Sequence, residues 1–262
     1  MKKKAIRKYA LVLSAVVVGL VIGRVLYVQR SQQALKRSIS CVYIAQTGPK
    51  KEALSTPTLF SLLEWSKEEL NALSPLHVQA KEAQLAAHPV MKKVELRIEQ
   101  EKTLLIDYTL RIPVAFLGDF SNSALDAEGH CFPCFPFFTP KRLPTFYLGL
   151  SAFPNAPLTG EKISLAFAVL SALRSIGWAF STDIAIDVSR AFFSSFGRAE
   201  VVVTLKKEGC FCHYLRLTPR AYQIELQKYQ LLRSSWPEGQ VTFDLRLENS
   251  ALVKTLSKGT ER

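Results

Sequence analysis

The last part of the chain carries the pattern that most restricts its fold. In VTFDLRL, the apolar residues Val241, Phe243, Leu245 and Leu247 alternate with polar residues, and a period of two is typical of a β-strand with one buried face. A turn-like Glu-Asn-Ser and a second apolar run, Ala251–Val253, follow. The chain therefore needs a sheet with a covered face, and little sequence remains to cover the edge of its last strand.

The rest of the pattern predicts an α+β fold in two units, followed by a short tail at 257–262. Residues 38–116 show the order strand, helix, helix, strand, strand, and residues 117–256 form a larger β-rich unit with flanking helices. A chain of 262 residues is long enough to bury a core in each unit.

Local signals place the helices and the strand faces. Ser74-Pro75 and Thr159 are expected to begin helices, Gly177 to end one, and Pro219 to open the last one. In the first unit, alternation predicts four residues that face its helices; these are Val94, Leu96, Ile106 and Tyr108.

The N-terminus predicts a membrane anchor. Residues 1–8 are basic, and the apolar run 9–28 has about the ~20 residues needed to cross a bilayer, with Arg24 close enough to one end to reach the interface. The rival interpretation is a cleaved signal peptide, but no small-residue cleavage site follows the run. We therefore expect a cytoplasmic tail, a single transmembrane helix, and a remaining chain outside the cytoplasm.

The charge of the chain does not favour nucleic acid as a partner. The formal net charge is +12, but residues 1–30 hold seven cations and no acid, so more than half of the excess lies there. The body of the chain has no stripe of Lys and Arg interleaved with aromatic residues, which is the pattern expected of a nucleic-acid-binding surface.

The cysteines leave several interpretations open. Cys131 and Cys134 have C-x-x-C spacing, and Cys210 and Cys212 precede His213. They could form a thioredoxin-like redox pair, a four-thiolate zinc site if the two groups approach each other, local disulfides, or reduced thiols. Three prolines around the first pair argue against the helix that a redox motif needs, and Cys-x-Cys is not the usual zinc spacing.

No catalytic constellation is present in the sequence. It contains no G-x-S-x-G, no H-E-x-x-H and no glycine-rich phosphate loop. We therefore expect no enzyme activity, no catalytic residues, no cofactor and no metal.

Several short motifs resemble, in the same order, the FtsQ/DivIB family of bacterial cell-division proteins. The matching segments are Pro89-Val90, Arg111–Ala115, Leu125–Phe132, Leu143-Pro144 and Asp244-Leu245-Arg246. The anchor and the order of predicted elements are also similar to that family. The sequence departs from the family pattern where Val90 replaces Trp, where Leu110 stands in place of Glu, and in the insertion that carries Cys131 and Cys134.

The resemblance implies a non-enzymatic scaffold of the divisome. It implies that residues 38–116 are a POTRA domain and that the chain lies in the bacterial inner membrane at the division site, with its bulk in the periplasm. It also implies that the chain binds FtsB-like and FtsL-like proteins and helps to recruit or regulate septal peptidoglycan synthesis. An exposed last strand is a suitable receptor, since a partner strand can pair with it. The predicted partner-binding residues are Arg198, Leu247, Ser250, Ala251, Leu252 and Val253.

Other interpretations stay open. The last strand could simply finish its sheet, with 255–262 covering the edge, and Arg198 could be an ordinary solvated charge. Two further function classes are a membrane-anchored thiol oxidoreductase that uses Cys131 and Cys134, and a POTRA-bearing chaperone or secretion component.

Overall fold

The computed structural model divides the chain into two compact units, Met1–Leu110 and Arg111–Arg262. The division lies slightly before the one expected after Phe116, because the strand that contains Phe116 pairs with strands of the second unit. The structure describes residues 19, 21–26, 41–47, 53–71, 73–99, 103–178, 183–194, 198–236 and 238–255.

Among its described residues from Cys41 onward, the first unit combines a three-stranded sheet with three helices. The central strand is β3, which is parallel to β1 and antiparallel to β2. The order follows the expected strand, helix, helix, strand, strand, with one short helix added. The elements are β1 (Cys41–Gln46), α1 (Thr56–Leu63), α2 (Lys67–Asn71), α3 (Pro75–Ala86), β2 (Met91–Ile98) and β3 (Thr103–Leu110).

The strand faces of the first unit follow the alternation of the sequence. Leu96, Ile106 and Tyr108 are buried and Val94 is half-buried. Val94 lies opposite Tyr108 and Leu96 opposite Ile106, so each pair shares one face of the sheet. The Tyr108 hydroxyl accepts a hydrogen bond from the Leu54 backbone N–H at 2.9 Å, which satisfies the polar end of a buried ring.

The second unit contains one sheet of nine strands in the order β12-β11-β10-β9-β8-β7-β4-β5-β6. Its strands are β4 (Ala115–Leu117), β5 (Ser123–Leu125), β6 (Cys131–Pro133), β7 (Thr145–Tyr147), β8 (Asp183–Asp187), β9 (Val201–Lys207), β10 (Phe211–Leu217), β11 (Gly239–Asp244) and β12 (Leu252–Thr255). Its helices are α4 (Glu161–Ser175) and α5 (Tyr222–Leu232), and a 3₁₀ turn at Arg233–Ser235 follows α5.

Both long helices of this unit contribute to one apolar core. Leu170 of α4 and Leu226 of α5 belong to the same buried cluster as Val203, Leu215 and Phe243 of the sheet. Alternate residues of β9 and β10 are fully buried and their neighbours are only half-buried. The sheet therefore has one face in the core, as the period-two pattern predicted.

Several expected boundaries differ from those observed. Gly160 with φ +105° precedes α4 in place of Thr159, because the entry to this helix takes a backbone conformation that suits glycine. Strand β9 begins at Val201, so Arg198 lies in the turn before it. Strand β11 ends at Asp244 and β12 begins at Leu252, which leaves Leu247 in the loop between them.

The predicted transmembrane helix is not supported and is corrected here. Among the described residues, no helix is long and apolar enough to cross a bilayer. Within 9–28, the structure describes only Gly19 and residues 21–26, which are helical. The rest of that segment lies outside the described residues, as do the predicted tails at 1–8 and 257–262.

A buried histidine lies in the core of the second unit. His213 is 2 % exposed, and its Nδ1 lies 2.7 Å from the Tyr229 hydroxyl. The rings of Phe211, Tyr229 and Phe243 surround it. Burial disfavours the imidazolium form and lowers the pKa of His213 below its usual value of 6.5.

The first prediction tests the register of β2. Leu96→Asp places an unpaired carboxylate where Leu96 is 6 % exposed, so it should destabilise the first unit by about 3 kcal/mol or more. Hydrogen exchange at the amides of residues 91–98 should accelerate strongly. Arg97→Asp at the neighbouring exposed position is the control and should leave exchange nearly unchanged. Equal exchange in the two variants would mean that the register is wrong.

The second prediction concerns pH. Because the folded pKa of His213 is lowered, the unfolded chain binds a proton more readily below pH 6.5. The free energy of unfolding should be unaffected by His213 above this pH and should fall below it, by at most about 1.4 kcal/mol per pH unit. His213→Asn retains a polar atom near the Tyr229 hydroxyl and cannot gain this charge. The difference between the two proteins in urea melts should therefore shrink from pH 7 to pH 5, and a constant difference would refute the assignment.

Candidate binding edge of the sheet

Strand β12 forms one end of the nine-stranded sheet. It pairs with β11 in antiparallel register, with Leu252 opposite Asp244 and Val253 opposite Phe243. No described strand pairs with its other side. A row of backbone N–H and C=O groups on β12 is therefore available to another chain.

The residues around this edge combine exposed and core-packed side chains. Leu252 is 65 % exposed and Leu247 is 53 % exposed, whereas Ala251 and Val253 are half-buried and pack against the core. Ser250 is exposed. The two leucines can therefore contact a partner, while Ala251 and Val253 attach the strand to its own sheet.

The opposite end of the sheet differs from this edge in three ways. Strand β6 spans only Cys131–Pro133, its residues Cys131 and Phe132 are buried, and Pro133 has no backbone N–H to donate. Short length and proline are the usual means by which edge strands avoid pairing with other chains. Of the two end strands, β12 is the one suited to accept a partner.

Arg198 lies at the same end of the strands as the β12 residues, but not beside them. The start of β9, the end of β11 and the start of β12 lie at the same edge of the sheet. The register shows this: Val202 pairs with Arg216, Arg216 with Asp244, and Asp244 with Leu252. Three strand spacings separate β9 from β12, which is about 14 Å. The exposed Arg198 can therefore contact a partner on β12 only if that partner extends beyond the strand.

A network of charged residues lies between these two positions. Arg216 donates to Glu200 Oε2 at 2.6 Å and to Asp244 Oδ2 at 3.0 Å, and Arg246 donates to Asp244 Oδ2 at 2.7 Å. The bonds from Arg246 lower the pKa of the Asp244 carboxyl, so Asp244 stays ionised over a wide pH range. This network fixes the end of β11 immediately beside Leu252.

Sequence reasoning missed the role of this network. The Asp244-Leu245-Arg246 segment was noted only as a motif. Opposite charges two positions apart on a strand point to the same side, so a pair between Asp244 and Arg246 could have been expected. Nothing in the sequence pointed to Glu200 or Arg216, because their contacts depend on the order of the strands.

The structure argues against both functional interpretations of the cysteines. Cys131–Pro133 is a strand, so Cys131 and Cys134 lie about 10 Å apart along the chain, beyond the reach of a disulfide. Strands β6 and β10 are six positions apart in the sheet, on the order of 25–30 Å, so the two cysteine groups do not approach each other as a shared zinc site would require. Burial raises the pKa of the Cys131 thiol to about 12, which makes it unreactive.

Asp126, Glu128 and His130 bring metal-binding atoms within 4.8 Å of one another. The Asp126 carboxylate, however, accepts from the Arg111 guanidinium at 2.8 Å and from the backbone N–H groups of Glu128 at 3.0 Å and His130 at 2.8 Å. These donors occupy both of its oxygens. The group is therefore better explained as a turn held by a buried aspartate, in the Asp-x-x-Gly segment that ends at Gly129.

Comparison of the chain with models of known protein families and with curated proteins gives no match. The FtsQ/DivIB resemblance therefore stays a hypothesis that depends on the motifs of this chain.

The third prediction separates an inert thiol from a redox pair. Cys210 is exposed and Cys131 is buried with a raised pKa. Iodoacetamide at pH 8 should therefore label Cys210 rapidly and leave Cys131 unlabelled until the protein is unfolded in urea. Mass spectrometry of the digested protein measures both sites. Rapid labelling of Cys131, or an oxidant-induced link between Cys131 and Cys134, would contradict this view.

Proposed function

We propose that the chain is a non-enzymatic scaffold of bacterial cell division that captures a segment of an FtsB-like protein on the free edge of β12. Through this partner and an FtsL-like protein, it helps to recruit septal peptidoglycan synthesis to the division site. The observation that carries the proposal is that β12 ends a nine-stranded sheet, with an exposed Leu252 and no described residue paired with its outer side.

The edge offers two kinds of interaction to such a segment. Its backbone groups can pair with an extended chain whatever the sequence of that chain, which gives affinity. Side chains on one face then give specificity. Leu252 and Lys254 lie opposite Asp244 and Thr242, so these four residues share a face of the sheet. A residue of the added partner strand would lie on the same face, beside Leu252.

Leu247 extends the apolar contact beyond the strand. It lies in the loop that leads into β12 and is 53 % exposed. Complete burial of a leucine is worth about 1.5–3 kcal/mol, so covering the exposed half of Leu247 would contribute about 1 kcal/mol or somewhat more. A partner that pairs with β12 and also covers Leu247 is therefore bound more tightly than one that pairs with the strand alone.

Charge supports the same assignment. Arg198 is exposed in the turn before β9, a strand about 14 Å from β12, and Lys254 is exposed on β12 itself. In the proposed complex, an acidic residue of the partner that lies outside the paired strand meets Arg198. Such a contact at the exposed rim contributes to orientation and association rate more than to affinity.

The fourth prediction tests the edge directly. Leu252→Pro removes a backbone N–H that faces Asp244 of β11 and restricts φ, so it should detach the start of β12 and remove the edge that a partner would pair with. Leu247→Glu places a charge against the apolar contact and should weaken binding at least tenfold. The measurement is isothermal titration of this protein with the extracytoplasmic domain of the FtsB-like protein from the same cell.

The control for both variants is a matched change at the other end of the sheet. Phe135 is 74 % exposed and follows β6, so Phe135→Glu should leave affinity unchanged. Circular dichroism checks that each variant keeps its fold. If Leu252→Pro and Leu247→Glu both bind as tightly as Phe135→Glu, β12 is only the end of a sheet and the proposal fails.

A further inference from the structure

A lysine of helix α5 is bonded to the loop that leads into β12. Lys228 Nζ donates to the Leu247 carbonyl oxygen at 2.8 Å and also donates to the Glu248 carbonyl oxygen. The two segments are far apart in sequence, so these bonds are long-range contacts between the helix and the loop. A charged donor to a backbone carbonyl makes a stronger bond than a neutral one.

The bonds from Lys228 act at the least supported part of the loop. At its beginning, the Leu245 N–H donates to the Arg216 carbonyl oxygen at 3.0 Å, and the Leu245 side chain is buried. At its end, Ala251 packs against the core. Between them, residues 247–250 are all exposed. Lys228 therefore holds the backbone at the centre of an otherwise exposed segment.

The electrostatic surroundings favour this position for the ammonium group. Glu225 lies one turn earlier on α5, is 3 % exposed, and has a pKa that is raised by burial and partly lowered again by Lys228 and Arg246. Glu225 itself accepts from the Thr218 N–H at 2.7 Å and from the Thr218 hydroxyl at 2.9 Å. The Lys228 ammonium group therefore interacts electrostatically with the buried Glu225 carboxyl and donates hydrogen bonds to the carbonyl oxygens of Leu247 and Glu248.

We propose that Lys228 is a positioning residue for the β12 edge: it holds the 247–250 loop against α5, so that Leu247 and the start of β12 are in the binding conformation before the partner arrives. This inference rests on the proposed function of the edge. Ordering the loop in advance removes part of the conformational entropy that binding would otherwise have to overcome. Lys228 does not need to contact the partner for this effect.

The test uses Lys228→Met, which keeps the length of the apolar stem and removes the three donors. The NMR order parameters of the backbone amides of Leu247–Ser250 should fall below about 0.6, while those within β11 stay near about 0.85. Titration with the extracytoplasmic domain of the FtsB-like protein should show about tenfold weaker binding. Lys228→Arg keeps a charged donor. Its loop order and its affinity should therefore lie between those of Lys228→Met and those of the unmodified chain.

Lys207→Met is the matched control, since Lys207 is exposed at the end of β9, away from the β12 edge. It should change neither the order parameters of the loop nor the affinity. Unchanged loop order parameters in Lys228→Met overturn the inference, and so do lowered order parameters with unchanged affinity. If Leu252→Pro abolishes capture and Lys228→Met does not, the positioning role is wrong and the proposed function stands. If the unmodified chain captures nothing, the proposed function fails and the binding role of Lys228 fails with it.

Discussion

The end strands of an open sheet present a row of backbone N–H and C=O groups that no strand of their own sheet can satisfy. In the second unit the end strands are β6 and β12, and the organisation of the unit depends on whether each of them is protected from pairing with another chain. At β6, a short strand with Pro133 and buried neighbours leaves little to pair with. At β12, the strand is longer, it contains no proline, and Leu252 is exposed. Within the described residues, no side chain is hydrogen-bonded to the β12 backbone.

The first unit shows what a protected edge looks like in the same chain. Its outer strand β2 is covered by α3, and the Leu96 N–H donates to Glu82 Oε2 at 2.9 Å. A carboxylate of a helix thus takes the place of a neighbouring strand. A groove of about 320 Å³, lined by Val78, Leu96 and Ile98 among others, lies beside this contact. Among the described residues, the β2 edge is therefore blocked by a side chain, whereas the β12 edge has no such bond.

The parts of this fold that depend on short-range patterns could be predicted from the sequence. Alternation located β2, β3 and β11, and the Ser66-x-x-Glu69 spacing is that of a capping box, which the structure forms with bonds of 3.0 and 3.1 Å. Strand order depends on contacts between distant segments, so the separation of Cys131 from Cys210 and the ion pairs of Arg216 were beyond local reasoning. The position of Lys228 against Leu247 was missed for the same reason, since a lysine on an amphipathic helix carries no local indication of its partner.

An open edge that binds a partner must be exposed and yet ordered, and these two requirements conflict because exposed segments usually lack the packing that orders them. Ion pairs and charged hydrogen bonds can resolve this conflict, since they fix a backbone without burying it. Arg216 and Arg246 hold the end of β11 through Asp244, and Lys228 holds the following loop through two carbonyl oxygens. If these contacts order the edge, its affinity for a partner should depend on salt even where the partner contact is apolar, because salt weakens the exposed bonds that keep the edge in place.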